Sequence, residues 1–254
     1  MMTDEGAVMD NGRRRIVVQS LCSIACLSGV LPTILMRGKL KRKTENSIEA
    51  QHLKVALAAA DFDNAAWNKA RAVQLERYWS GEEAPASRRA EARLLWSDEA
   101  LHVRFVCQQS EPLIVSATPQ KEKKTLGLWD RDVCEIFLAP DASRPTHYFE
   151  FEAAPTGEWV DLAILWKPEA RDTNWDFHSG MTAAARIGGD SITIAMRIPW
   201  NALGRVPQAG ERWRANLFRC VGADPTRGYL TWQPTRTEKP NFHVPSAFGE
   251  IEFG

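Results

Sequence analysis

The chain has little of what the common catalytic chemistries require. It contains no Gly-x-Ser-x-Gly elbow, no phosphate-binding glycine loop and no zinc-ligand spacing. The motifs of a serine hydrolase, a nucleotide-binding enzyme or a zinc protein are therefore missing. Histidine is sparse, at five residues, and the five cysteines form no Cys-x-x-Cys or Cys/His pattern. Net charge is absent too, because 32 basic residues balance 32 acidic ones. The balance hides a division: residues 1–46 hold 8 Lys and Arg against 4 Asp and Glu, leaving 24 against 28 in the remainder. A slightly acidic domain suits a phosphate backbone poorly, which argues against nucleic acid as a partner. Helical periodicity is also scarce, and only Asn64–Ala72 and Pro199–Leu203 read as short helical turns.

One long uncharged run stands apart. Arg13-Arg14-Arg15 precedes residues 16–36, which carry no charge, and Arg37 to Lys43 follow as a basic stretch. The run fits three origins: a signal peptide with Ser23-Ile24-Ala25 as cleavage site, a membrane anchor, or chain ahead of a true start near Met36. The arginine flank leans toward a membrane-anchored or exported protein over a cytoplasmic one. Residues 1–50 are expected to form a tail, with 16–36 as a possible point of membrane association and a basic linker after it. The folded domain is expected over 51–254.

What that domain does have is period-two alternation. Leu101–Cys107, Val133–Leu138, Tyr148–Ala153, Trp159–Leu165, Ser191–Ile198 and Trp213–Cys220 each read as a strand. Turn signals separate them at Ser97-Asp98-Glu99, Pro155-Thr156-Gly157, Gly188-Gly189-Asp190 and Pro207 to Gly210. This pattern predicts an all-β fold, an antiparallel two-sheet β-sandwich. Cys107, Cys134 and Cys220 fall inside strands and read as small buried hydrophobes, with room for one disulfide in an exported protein. Ten tryptophans are the one compositional excess. Trp96, Trp159 and Trp213 belong to strand cores, and Trp67 and Trp200 to the ends of the sandwich.

Four segments in order add up to a family resemblance. They are Ala60–Trp67, Arg93–Val103, the stretch Trp129-Asp130-Arg131-Asp132-Val133-Cys134-Glu135-Ile136-Phe137-Leu138, and Trp232-Gln233-Pro234 with Asn241–Gly249. The sequence resembles the family 9 carbohydrate-binding modules, whose fold is a two-sheet sandwich of the DOMON-like superfamily. The resemblance implies non-catalytic binding of an oligo- or polysaccharide, in the service of carbohydrate catabolism. In the sugar-binding members two Trp side chains sandwich a terminal sugar. The first position matches Trp129; the second matches Phe242, a smaller ring. The strand carboxylate that bonds the sugar matches Glu135. A family arginine falls on Glu150, which replaces a donor fork with an acceptor. A structural calcium, as in some relatives, would fall to Asp132 or Asp161; no other cofactor is implied.

Two further candidates come from the residues themselves. Trp175, in the polar segment Asp172–His178, either walls a pocket or pins a loop. His243 either contacts ligand or hydrogen-bonds its loop. Trp129 follows a Lys-rich segment, Lys121 to Leu128, expected to be mobile. Glu135, Glu150 and Glu152 share one face if their strands pair, and read as a solvated surface with no apolar seat to raise a pKa. The glycosidase reading that paired carboxylates invite is correspondingly weak. Two other classes stay open: a haem-binding electron-transfer domain using His243 or His178 with Met181 or Met196, and a ligand-free surface or periplasmic scaffold.

Overall fold

The computed structural model describes residues 46–254. The hydrophobic segment 16–36 lies outside the described residues, as do Cys22 and Cys26. Among the described residues no helix is long and apolar enough to cross a membrane.

Fourteen strands make up the domain. They are β1 (Ser47–Leu53), β2 (Val73–Leu75), β3 (Arg77–Tyr78), β4 (Ala90–Ser97), β5 (Ala100–Gln108), β6 (Val133–Ala139) and β7 (His147–Ala153), followed by β8 (Trp159–Leu165), β9 (Asp172–Asn174), β10 (Thr182–Ile187), β11 (Ser191–Pro199), β12 (Arg212–Val221), β13 (Gly228–Thr231) and β14 (Gly249–Phe253). One sheet runs β10-β11-β5-β4-β1 and the other β1-β14-β12-β6-β7-β8-β9, so the pairing path is continuous and curls back on itself. The six expected strands are all present. The two expected helical turns are single 3-10 turns, Ala65–Asn68 and Trp200–Leu203.

The all-β sandwich is as expected, with one departure from antiparallel order. Strand β1 pairs in parallel with β14 through Ser47–Ala50 and in parallel with β4 through Gln51–Leu53. It thereby serves both sheets. The boundary expected at residue 51 falls inside this strand, and the linker expected through residue 50 gives up its last four residues to it.

The main core lies between the sheets. Alternation sends Cys134, Ile136 and Leu138 of β6 inward, with Phe151 of β7 and Leu217 of β12, against Leu94, Val103, Phe105 and Ile194 of the opposite sheet. Burying a side chain of this size contributes about 1.5–3 kcal/mol. Cys107 and Cys134 meet here with their sulfurs 3.4 Å apart, both as free thiols. Trp96, Trp200 and Trp213 are buried as expected; Trp159 is only half-buried, its Nε1–H donating to the Lys121 carbonyl.

A second apolar cluster covers the outer face of β6-β7-β8-β12. Val133, Phe137, Tyr148, Val160, Leu162 and Phe218 supply its floor, and Leu128, Phe242 and Phe248 roof it from distant loops. Those loops are tied down by cations from β12 and beyond. Arg214 donates to the carbonyls of Gly249 and Phe248, and Arg227 to those of Trp129, Asp130 and Arg131. Gly249 is required because a Cβ there would collide with the Trp232 indole. The two parts of the terminal motif are thus one packing unit.

Candidate functional site

The roof over the second cluster is incomplete, and the gap is a cleft of about 240 Å³. Trp129, Glu135, Glu150, Trp175, Phe242 and His243 all line it. The six candidates come from four separate regions of the chain, and the fold brings every one to the same cavity. Asp130, Tyr229, Asn241 and Arg171 line it too and were missed. For Tyr229 a signal existed: in β13 it alternates with buried Leu230, so it must point the other way.

Each aromatic has a distinct setting. Trp129 sits on a 3-10 turn, Leu128–Asp130, and is partly exposed. Its ring neighbour is Trp175, at a centroid distance of 6.1 Å and an interplanar angle of 47°. Trp175 is 45% exposed, so it forms the rim. Phe242 is nearly buried. It stacks on Phe218 at 4.0 Å and 11°, and meets Tyr229 edge-on at 6.1 Å. One face of the Phe242 ring is therefore already occupied.

The segment before Trp129 is pinned, contrary to its polar composition. Lys124 runs into the domain, ion-pairs with Asp161 at 2.9 Å and donates to the carbonyls of Asp161, Trp175 and Phe177. A lysine stem lying along buried surface trades its solvent freedom for fixed contacts. Asp161 also accepts from the amide and hydroxyl of Ser179. Asp132 accepts from the amides of Gly222 and Ile114. Protein donors thus fill both positions suggested for calcium, and both aspartates act as fasteners.

His243 lines the cleft, and its side chain bonds to β7 rather than to its own loop. Its Nδ1 lies 2.8 Å from the Tyr148 hydroxyl, while its ring packs 5.0 Å from Phe137 at the cleft wall. Burial, with Arg171 adding to it, lowers its pKa to about 3. The imidazole is therefore neutral, with one nitrogen donating and the other accepting. The Tyr148 hydroxyl, whose own pKa burial pushes up, suits Nδ1 as acceptor. The remaining N–H at Nε2 then faces Glu150, 3.8 Å away.

The carboxylates overturn an expectation. Glu135 is directly opposite Glu152 across the β6–β7 ladder, and Phe137 is opposite Glu150. They share one face as expected, but that face is covered. Glu135, Glu150 and Glu152 are all buried, at 2%, 4% and 0% exposure. The seat is apolar: Phe218 is Glu135's neighbour on β12, and Leu162 and Val160 are the β8 partners of Glu150 and Glu152. Burial therefore raises all three pKa values, and mutual repulsion raises those of Glu135 and Glu152 further. Alternation identifies which residues share a face; it is silent on what loops later cover it.

The haem ligand sets are not assembled. Met181 and Met196 are buried in the core between the sheets, on the other side of β6 and β7 from His243, and His178 is exposed.

Comparison with known proteins agrees with this architecture. A Bacteroides uniformis protein provisionally described as carbohydrate-binding superposes with a TM-score of 0.65 at 16% identity, covering 82% of this chain and 99% of its own. A family 9 carbohydrate-binding module of Caldicellulosiruptor kristjanssonii, solved with glucose, gives 0.58 at 18% identity over 82% of this chain and 95% of that one. The same organism's module solved with cellotriose gives 0.57 at 17% identity, over 82% and 93%. No curated protein matches the chain. The model of the carbohydrate family 9 binding domain-like family matches residues 60–254, and the chain belongs to that family.

Proposed function

We propose that the cleft binds the end of a saccharide and performs no reaction on it. The observation that carries this reading is the pairing of aromatic walls with a buried polar floor in one small cavity. Trp129, Trp175 and Phe242 offer flat apolar surface, and Glu135, Asn241, His243 and Arg171 offer acceptors and donors around it. A sugar ring needs both: its C–H face stacks on an aromatic plane, and its hydroxyls need directed hydrogen bonds. At about 240 Å³ the cleft is below the roughly 300 Å³ of common small-molecule sites, which favours a chain end over a long segment. The related Caldicellulosiruptor modules solved with glucose and cellotriose add support from the family.

In this reading the second ring is Phe242, which lines the same cleft as Trp129 and keeps for the ligand the face that Phe218 does not cover. Arg171, from the loop between β8 and β9, supplies the donor fork that Glu150 no longer gives. Binding without catalysis is the reading the binding-domain family supports, and the setting of the carboxylates is consistent with it. A retaining glycosidase keeps one carboxylate ionised as nucleophile beside a raised acid. Here burial raises all three, and Glu152 is wholly enclosed. A ligand-free scaffold is disfavoured because Trp129 and Trp175 stay open to the cleft rather than packing it shut.

The test is calorimetry against cello- and xylo-oligosaccharides and their reduced forms. Binding that discriminates the intact from the reduced end is the expected result. Absence of binding to all of them at millimolar concentration would sink the reading.

A further inference from the structure

The floor of the cleft holds an imbalance that a neutral sugar does not relieve. Glu135, Glu150 and Glu152 each place a carboxylate oxygen within 4.8 Å of the other two. Glu150 Oε2 and both oxygens of Glu152 are enclosed and meet no donor from the surrounding protein. Buried polar atoms are nearly always partnered, and buried carboxylates especially so. The surrounding cations do not hydrogen-bond these oxygens: the charge of Arg171 acts on Glu150 across the cleft, and Glu150 Oε2 still has no donor. Arg227, whose charge reaches Glu135, spends its guanidinium on the carbonyls of Trp129, Asp130, Arg131 and Gly222. His243 stands 3.8 Å from Glu150, beyond hydrogen-bond distance. The thiol of Cys220 reaches Glu135 at 3.5 Å, a weak contact.

Three oxygens around one point is a coordination pattern. Calcium binds carboxylate oxygens at about 2.3–2.6 Å, so ligand atoms on one ion lie no more than about 5 Å apart. The spacing of the three glutamates fits inside that limit. All three donors are hard oxygens, which suits calcium over zinc or copper. The three come from two neighbouring strands, whose ladder fixes Glu135 against Glu152 without help from an ion. The site is open on one side only, because Glu135 and Glu150 line the cleft while Glu152 lies behind them. An ion seated there would keep its remaining coordination positions toward the cavity, near Asp130.

We propose that Glu135, Glu150 and Glu152 form a binding site for a divalent, calcium-like cation at the floor of the cleft. The site shares Glu135 with the proposed sugar site, but its three ligands all come from the chain, so cation binding can be measured with no sugar present. Proton sharing among the carboxylates is the competing arrangement. It needs no ion, and it is the outcome the experiment must separate.

The experiment uses the full chain stripped with EDTA, without sugar, near pH 7.5. Terbium serves as the calcium analogue, excited through the indoles of Trp129 and Trp175. Saturable sensitised emission that added calcium displaces is expected. Glu152→Gln should weaken terbium binding at least tenfold, and Glu135→Gln similarly. Millimolar calcium should raise the melting temperature of the wild-type chain and leave that of Glu152→Gln unmoved. Because Gln keeps the shape of Glu, circular dichroism of both variants should match the wild type. The proposal is overturned if the stripped wild-type chain shows no saturable terbium signal, if Glu152→Gln binds as tightly as wild type, or if calcium shifts both melting temperatures equally.

Discussion

Trp129 and Phe242 occupy matching places in the motif and unlike places in the molecule. Trp129 rests on a short turn at the edge of the second cluster and touches Trp175. Phe242 is stacked on Phe218 and belongs to the roof. Their removal should therefore separate into two different losses. Trp129→Ala takes away a ligand platform at an open wall, and we expect saccharide affinity to fall by about 2 kcal/mol, as for an aromatic anchor. The melting temperature should hardly move. Phe242→Ala opens a void above Phe218, and large-to-small changes of this kind cost about 3 kcal/mol of stability. Calorimetry and thermal unfolding of the two variants side by side would decide the matter. A sharp fall in melting temperature for Trp129→Ala would place Trp129 in the core instead.

Strand β12 is the element on which the sandwich turns. It pairs with β6 on one side and β14 on the other, and β13 adds to its end. Its Arg219 is 2% exposed and donates to the carbonyls of Arg88, Arg89 and Gln108 and to the side chain of Gln109. One guanidinium thus fastens one sheet to the root of the β4–β5 hairpin in the other. Arg219→Met keeps the stem and leaves several acceptors unpaired. We expect a loss of about 3 kcal/mol in urea unfolding at unchanged m-value, since hydrogen bonds to charged groups are worth about 1.5–3 kcal/mol and the acceptors are enclosed. A loss under 1 kcal/mol would show that water replaces the guanidinium. At this scale the sequence was most readable. The alternation of β5, β6, β7 and β11 states both the strand and its faces. It does not state that loops around residues 128, 175 and 242 return to cover the outer face of β6 and β7. Glu135, Glu150 and Glu152 consequently read as solvated, because alternating Glu is the ordinary mark of an exposed face. The family motif supplied what alternation could not, by linking Trp129 to Phe242 across more than a hundred residues. Arg171 belongs to an irregular segment where neither signal operates, whereas Asn241 opens the terminal motif and was passed over there in favour of Phe242 and His243.

For the molecule as a whole, acid stability should hinge in part on one buried histidine. His102, in β5, is 1% exposed, with Ser97 Oγ 3.3 Å from its Nε2. Burial, with Arg197 adding to it, lowers its pKa from 6.5 to about 4. Above pH 6.5 the ring is neutral in both folded and unfolded chains, and its contribution is fully present. As pH falls from 6.5 toward 4 the unfolded chain takes up a proton that the folded one refuses, and stability drops. A shift of this size corresponds to about 3 kcal/mol across the window. Denaturant unfolding of wild type and His102→Gln between pH 7 and pH 4 should show a shallower decline in the variant. Parallel curves would mean that the folded state accepts the proton without penalty.

The arrangement of β1 and β14 bears on how the domain answers to force. Ser47 is in register with Glu250 and Ala50 with Phe253, the two strands running the same way. A pull applied at residue 46 and at residue 254 acts on opposite ends of that parallel pair. The load is then longitudinal shear, in which all the hydrogen bonds between the strands resist together. A hairpin pulled open from its two free ends instead yields bond by bond. Tethered by its ends, this domain should rupture at higher force than when held across the β10–β11 hairpin, a comparison open to single-molecule stretching.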